Sequence, residues 1–377
     1  MKLSIISPFP PIKGGISKET ELLYLILKDS YDINIFSYNK LYPSILYPTK
    51  NQTDKAADSY QKNEKIDYSI NINNPLTWYK TSKRIIDLKS THAILRFWNP
   101  FFIPLYLFLI NRIKNGNKNI KILCICDNIY PHERIFFDKK IIKYFFTKID
   151  HFLVMSEDSK NKLQSIINSE QKIVKSFLPL KFSYKHKISK IDALNALNIK
   201  KTKLVLLFFG FIRDYKGLDL LLNALGLVKD LDIKLIIAGQ SISKTSKYLD
   251  IIKEKKINDK VLWHNKYIPE SDVGTYFSAC DVVVLPHLKI SQSGIIPLAY
   301  EFKKFVIASD IISFKEHIDD SKTGYLFEKN NYFSLKDKIE RIYNNYNFSK
   351  VENNIVNYSK KYSNKNLINQ FDDLLNL

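Results

Sequence analysis

The chain alternates short apolar runs with longer stretches in which apolar residues recur every three or four positions. Runs of the first kind, rich in Ile, Val and Leu and closed by Pro, Gly or polar residues, predict strands buried on both faces. Lys2–Ile6, Asp32–Tyr38, His92–Phe97, Ile120–Cys126, His151–Met155, Leu204–Phe209, Lys234–Ala238, Val261–His264, Cys280–Pro286 and Phe305–Ala308 have that form. Helical spacing fills the intervals: Ser17–Lys28, Pro75–Leu88, Pro100–Asn115, Ser159–Ile167, Leu218–Val228, Ser246–Lys255, Glu270–Ala279 and Ile295–Phe302. Near the end, Phe333–Tyr346 and a long stretch from about Asn354 to Leu375 also read as helices. Strand, helix, strand is the repeating unit of a parallel α/β sheet.

The series is interrupted once. The segment Gln171–Leu180 stops at Pro179, and Lys181–Lys201 is basic and rich in Ser and Asn before the strong strand at Leu204. Such a composition shift marks an interdomain linker. The expected fold class is α/β, with two Rossmann-like domains facing a central cleft, one over residues 1–185 and one over 186–355. A length of 377 residues is ample for two domains.

Composition narrows the class. Hydrophobic residues make up 45% and aromatics 13%, which excludes a disordered chain. The net charge of +20 points to an anionic partner: nucleic acid, a membrane surface or anionic small ligands. Lysines are scattered, with no polybasic arm and no recognisable nucleic-acid motif, so no nucleic-acid partner is expected. Three cysteines, Cys124 and Cys126 on one strand face and Cys280 in another strand, argue for buried small hydrophobes and against a disulfide framework or a metal site. The opening MKLSIISPFP reads as a strand stopped by prolines and predicts a cytoplasmic chain without a signal peptide. The run FWNPFFIPLYLFLI is broken by Pro100 and Pro104; it predicts a core helix or a monotopic surface segment, followed by basic residues.

Candidate chemistry gathers in the loops after strands, at the sheet edge where open α/β folds bind ligands. The first such loop ends in Gly14-Gly15 ahead of a helix, a weak phosphate-approach motif strengthened by its position. A second, after Cys126, carries Asp127, Asn128, His132 and Glu133, residue types that suit acid–base chemistry or the holding of sugar hydroxyls. A third reads Gly210-Phe211-Ile212-Arg213-Asp214-Tyr215-Lys216-Gly217, and its Arg213 and Lys216 form a cation pair suited to a diphosphate. A fourth holds Ser291, Gln292, Ser293 and Gly294 at the mouth of a helix, where small residues and free N–H groups favour a phosphate.

Taken together, these pieces resemble the GT-B glycosyltransferases of family 4, a retaining group. The resemblance covers nearly the whole chain and rests on PFPPIKGGIS, PHERIFF with HFLVMSEDS, FFGFIRDYKGLDLLLNAL, IIAGQS, YIPESDVGTYFSACDVVVLPH and TGYLF. It implies transfer of a sugar from a nucleotide-diphosphate sugar to a glycan or lipid-linked acceptor, in the making of a bacterial surface polysaccharide. It further implies that Arg213 and Lys216 offset leaving-group charge without a metal or other cofactor. Gly14, Gly15, Gly210, Gln292, Ser293, Gly294 and Tyr267 would surround the donor; Asp127 and His132 would join the catalytic set, and Asn128 and Glu133 the acceptor side. The last segment, 356–377, would cross back to the first domain as a helix.

Two departures stand out. Relatives carry paired glutamates around the glycine matching Gly294, and here Ser291 and Ala299 occupy those places. The form QSGIIPLAYEF resembles a subgroup with QSG and no paired acids. Asp127 stands where many relatives have His. Alternatives to the transferase reading are an epimerase of the same fold and a non-catalytic nucleotide-sugar binder. The charge and the apolar-basic segment Phe97–Lys118 add an expectation of peripheral contact with the anionic inner membrane.

Overall fold

The computed structural model describes residues 1–43, 52–53, 63–130, 138–168, 170–177, 188–290, 294–345 and 348–377. It divides into two compact units, Met1–Pro179 with Asn364–Leu377, and Leu180–Ser363. The boundaries thus fall at 179/180 and 363/364, against 185/186 and 355/356 expected from the sequence.

The first unit is built on seven parallel strands: β1 (Lys2–Ile6), β2 (Asp32–Lys40), β3 (Ile66–Asn71), β4 (His92–Phe97), β5 (Lys121–Cys126), β6 (His151–Val154) and β7 (Lys172–Lys175), in the order β3-β2-β1-β4-β5-β6-β7. Strand order reverses between β1 and β4, so the switch point lies there. Right-handed crossovers put the helices Pro75–Asp87, Ile103–Gly116 and Asp138–Phe146 on one face of this sheet. Helix Gly15–Leu27 lies on the other face, packed with the C-terminal helix Asn364–Leu375.

The run FWNPFFIPLYLFLI is core. Phe97, Phe102, Ile103, Leu105, Tyr106 and Leu109 are all buried, and Phe97 packs its ring 5.3 Å from those of Phe145 and Phe146. One side of the helix faces the sheet at every turn, which buries Ile103, Leu105, Tyr106, Leu109, Ile110 and Ile113. Of the two readings of this run, the core helix is the one these burials describe, with Phe101 left exposed at its start. No helix among the described residues is long and apolar enough to cross a membrane. Cys124 and Cys126 point to the same buried face, their sulfurs 3.5 Å apart, as the strand period requires.

The second unit has six parallel strands: β8 (Leu204–Phe209), β9 (Ile233–Ala238), β10 (Val261–His264), β11 (Val282–Leu285), β12 (Phe305–Ser309) and β13 (Gly324–Phe327), in the order β10-β9-β8-β11-β12-β13. Its switch point lies between β8 and β11, the two central strands, whose side chains from Leu204 to Phe208 and Val282 to Leu285 are buried. Asp281 fastens the start of β11: its carboxylate accepts from the Val205 N–H at 2.9 Å and from the Lys190 ammonium at 2.5 Å.

The long final helix expected over Asn354–Leu375 is broken. Helix Phe348–Ser359 gives way to a 3₁₀ turn, Lys360–Tyr362, and helix Asn364–Leu375 follows. Buried Tyr362, bonded to His317 Nδ1 at 2.6 Å, anchors the turn in the second unit, and Ser363 is extended (ψ 150°). The chain thus changes direction where it passes to the first unit, and there Leu367, Phe371, Leu374 and Leu375 are buried. Phe371→Ala should cost the first unit about 3–5 kcal/mol by leaving a cavity. The expected sign is lost amide-exchange protection in β1 and β6 with protection in β8 and β11 unchanged.

Candidate functional site

The loop after β8 is shaped by one buried side chain and two tight backbone approaches. Ile212 is fully buried and its N–H donates to the Gln240 carbonyl at 2.9 Å. Its neighbours Phe211 and Arg213 are thereby turned outward, and both are exposed. Asp214–Lys216 form a 3₁₀ turn closed by Gly217 in the left-handed region, φ 66°. A Cβ on Gly217 would lie 2.0 Å from the Pro286 carbonyl oxygen, so only glycine lets this loop touch the loop after β11. Beside that contact the Leu288 N–H donates to the Tyr215 carbonyl at 2.7 Å. The two loops flanking the switch point are therefore joined.

This joining sets the electrostatics. The only carboxylate of the Gly210–Gly217 loop, Asp214, is held by the Lys247 ammonium, a bond that lowers its pKa. Arg213 and Lys216 have no hydrogen-bond or ion-pair partner among the described residues. Lys216 is half-buried, its ammonium 3.1 Å from where a Gly210 Cβ would sit. Burial, and then the neighbouring Arg213, push the Lys216 ammonium down to about 8. His287 is 2% exposed, edge-on to the Phe314 ring at 5.4 Å, and its Nδ1 has no partner among the described residues. Burial first, and Lys216 second, push its imidazole down to about 3, so it is neutral at working pH. Two unpaired cations in a partly desolvated corner, with no carboxylate opposing them among the described residues, attract an anion with more than one charged oxygen.

Around this corner, Gly294 begins the helix Ile295–Glu301, while Ser291, Gln292 and Ser293 lie outside the described residues. Ala299 is fully buried. At the same sheet edge Tyr267 is 63% exposed, and its ring centroid lies 6.3 Å from that of exposed Phe211. Sequence reasoning missed His287, whose signal was a histidine immediately after an apolar strand and a proline.

In the first unit, Gly14 (φ 132°) caps helix Gly15–Leu27, and a Cβ on either glycine would meet nothing within 4 Å. This loop is open, with room for a ligand. Asp127 sits differently from the expectation of an available acid or base. It is 2% exposed and receives a two-pronged bond from Arg96, Nε to Oδ2 at 2.7 Å and Nη2 to Oδ1 at 2.8 Å. Arg96, itself buried, also donates to Thr20 Oγ1 at 3.2 Å and to the Glu19 carboxylate. The Asp127 carboxylate is thus committed to a buried ion pair at the β1/β4 switch point. Asn128 follows, half-buried, and His132 and Glu133 lie outside the described residues. Burial, opposed by Arg96 and aided by Asp127, pushes the Glu19 carboxyl up to about 7. A charged residue inside the apolar strand HAILRF was the available sign of this network.

The chain is similar to several known proteins. Residues 189–362 match the family described as glycosyl transferases group 1. An uncharacterized glycosyltransferase of Methanocaldococcus jannaschii is 26% identical over 96% of this chain and 94% of its own. The GDP-mannose:glycolipid 4-beta-D-mannosyltransferase of Xanthomonas campestris is 30% identical over 32% of this chain and 35% of its own. Among solved structures, Anabaena HepE in complex with UDP superposes with a TM-score of 0.75 at 13% identity, covering 100% of both chains. The fold is that of the GT-B glycosyltransferases, two parallel-sheet Rossmann-like domains.

Two outcomes follow from the Arg96 network. Arg96→Ala should destabilise the first unit by about 3–5 kcal/mol in urea unfolding, because Asp127 is left buried and unpaired. The folded state holds the Glu19 proton more tightly than the unfolded chain does. That group therefore adds stability below about pH 4.5 that is lost as pH rises to about 7, and Glu19→Gln should abolish this slope.

Proposed function

We propose that this chain, whose second unit is a glycosyl transferases group 1 domain, transfers a hexosyl group from a nucleotide-diphosphate sugar to a glycan or lipid-linked acceptor, with retention of anomeric configuration. The observation that carries the proposal is the unpaired Arg213–Lys216 corner at the β8/β11 switch point. When the bond from the sugar to the phosphate breaks, the departing diphosphate gains charge, and two preorganised cations lower the cost of that charge without reorganising. Low local polarity around half-buried Lys216 strengthens the effect. Neutral His287 adds no competing cation and no carboxylate.

The other assignments are part of the same proposal. Gly210, Gly294, Gln292, Ser293 and Tyr267 are assigned to the donor in the second unit, and Gly14 and Gly15 to a phosphate or the acceptor in the first. Asn128, His132 and Glu133 are assigned to the acceptor side. Asp127 keeps a place there as the partner that fixes Arg96. A UDP complex of a protein with this fold supports a nucleoside diphosphate as the leaving group. A relative named for mannosyl transfer to a glycolipid supports a lipid-carried acceptor, and a role in bacterial surface polysaccharide synthesis belongs to the same proposal.

Arg213→Ala and Lys216→Ala should each lower turnover roughly 10²–10³-fold while leaving thermal unfolding nearly unchanged. Near-normal turnover in both would contradict the proposal. A bound diphosphate restores the Lys216 charge, so nucleoside-diphosphate affinity should be level below about pH 8 and decline above it. Lys216→Arg, which keeps its charge, should flatten that decline in calorimetric titrations.

A further inference from the structure

Four neighbouring strands of the first sheet begin on a basic residue: β4 on His92, β5 on Lys121, β6 on His151 and β7 on Lys172. The register pairs His92 with Lys121, Leu123 with His151, and His151 with Lys172. Paired residues of parallel strands share a face, as do residues two apart on one strand, so all four point to one side of the sheet. That side carries the C-terminal helix Asn364–Leu375, which packs on β6 and β7. Where this helix ends, a cavity of about 380 Å³ opens at the amino edge of the sheet. His92, Lys121 and His151 line it, with Lys89, Asn119 and Leu375 around them. The Gly14-Gly15 turn and Asp127 follow strands at the opposite, carboxyl edge, so the cavity belongs to none of the loops described above.

The polar groups of this cavity are in excess of their partners. The Lys172 backbone N–H donates to His151 Nδ1 at 3.3 Å, which leaves the proton of the neutral ring on Nε2. His151 is 8% exposed, and its Nε2 is buried with no partner among the described residues. A desolvated donor without an acceptor costs free energy that a ligand oxygen would recover. The Lys89 and Lys121 side chains make no hydrogen bond or ion pair among the described residues. Asp150, beside His151, is already engaged: it accepts from the Lys114 ammonium at 2.7 Å and from the Ile122 N–H at 2.6 Å. The end of the C-terminal helix takes up His92, which bonds the Leu375 carbonyl, and the Asn376 N–H returns to the Asp372 carbonyl at 3.0 Å. The lysines are left over, and the exposed Leu377 carboxylate forms no ion pair with either of them among the described residues. Burial lowers the pKa of both histidines, and the Lys121 charge lowers it further, so both rings are neutral at pH 7.

We infer that this cavity binds the phosphate of a small hydroxylated molecule. Two lysines and a buried N–H donor suit an anion with several charged oxygens. The Asn119 amide suits hydroxyls, and Leu374 and Leu375 give the body of the ligand an apolar wall. The volume exceeds the needs of a bare phosphate ion and falls in the range of small-molecule sites. This site takes no part in the transfer proposed above, and its test requires neither a sugar donor nor an acceptor.

The test is calorimetric titration of the full chain at neutral pH with glucose 6-phosphate, glycerol 3-phosphate, glucose and inorganic phosphate. One or both of the phosphate esters should bind, glucose should not, and inorganic phosphate should bind roughly tenfold more weakly than the better ester. Lys89→Gln with Lys121→Gln should weaken ester binding roughly a hundredfold at an unchanged unfolding temperature, since both side chains are exposed. In proton NMR, the ring signals of His92 and His151 should titrate at higher pH with the ester bound, because an anion favours the charged imidazole. No binding of either ester at millimolar concentration, equal binding of inorganic phosphate, or undiminished binding by the lysine variant would each overturn the inference. So would histidine signals that the ester leaves unmoved, or binding abolished by Arg213→Ala with Lys216→Ala, which would put the ester in the second unit.

Discussion

The chemistry of the second unit depends on the approach of Gly217 to the Pro286 carbonyl. A side chain at residue 217 would meet that oxygen at 2.0 Å, so the contact exists only because the residue is glycine. It joins the loops after β8 and β11 across the switch point, and in the first of these loops Lys216 is half-buried beside Arg213. Lysine desolvated in this way loses affinity for its proton, and Arg213 lowers it further. The corner is thus electrostatically unsatisfied in the absence of an anion, since the loop's own carboxylate, Asp214, is engaged by Lys247.

The first unit resolves a similar problem in the opposite way. At its own switch point a buried arginine is saturated internally, by Asp127 in two-pronged geometry and by Glu19 and Thr20. Breaking such a network is costly, because any partner left behind is an uncompensated charge. One switch point is therefore internally neutralised and the other is left cationic. That asymmetry underlies the assignment of the anionic leaving group to the second unit.

Much of this was legible in the sequence because parallel strands buried on both faces spell themselves out as β-branched runs, as VVVL and LVLLFF do. Loops following such runs fall at the ligand-binding edge, which is why Arg213 and Lys216 could be singled out before any coordinates. The commitment of Asp127 was not legible, since its partner Arg96 stands in a different strand and meets it only through sheet pairing. The break at Lys360–Ser363 was hidden for a related reason. The amphipathic spacing runs on, and the stop comes from the tertiary bond between Tyr362 and His317. The apolar segment from Phe97 was ambiguous from composition alone, because a core helix and an interfacial one share that composition until packing is known.

The cationic corner of the second unit is proposed to hold a nucleoside diphosphate. The most direct measurement is a thermal-unfolding panel of the full chain with UDP, GDP, ADP and CMP. Selective, saturable stabilisation by one diphosphate, about 2.7 kcal/mol at a hundred times its Kd, is expected. That stabilisation should be lost in the Arg213→Ala, Lys216→Ala double variant. A folded sample that no nucleotide stabilises, or one stabilised equally with and without the two cations, would contradict it.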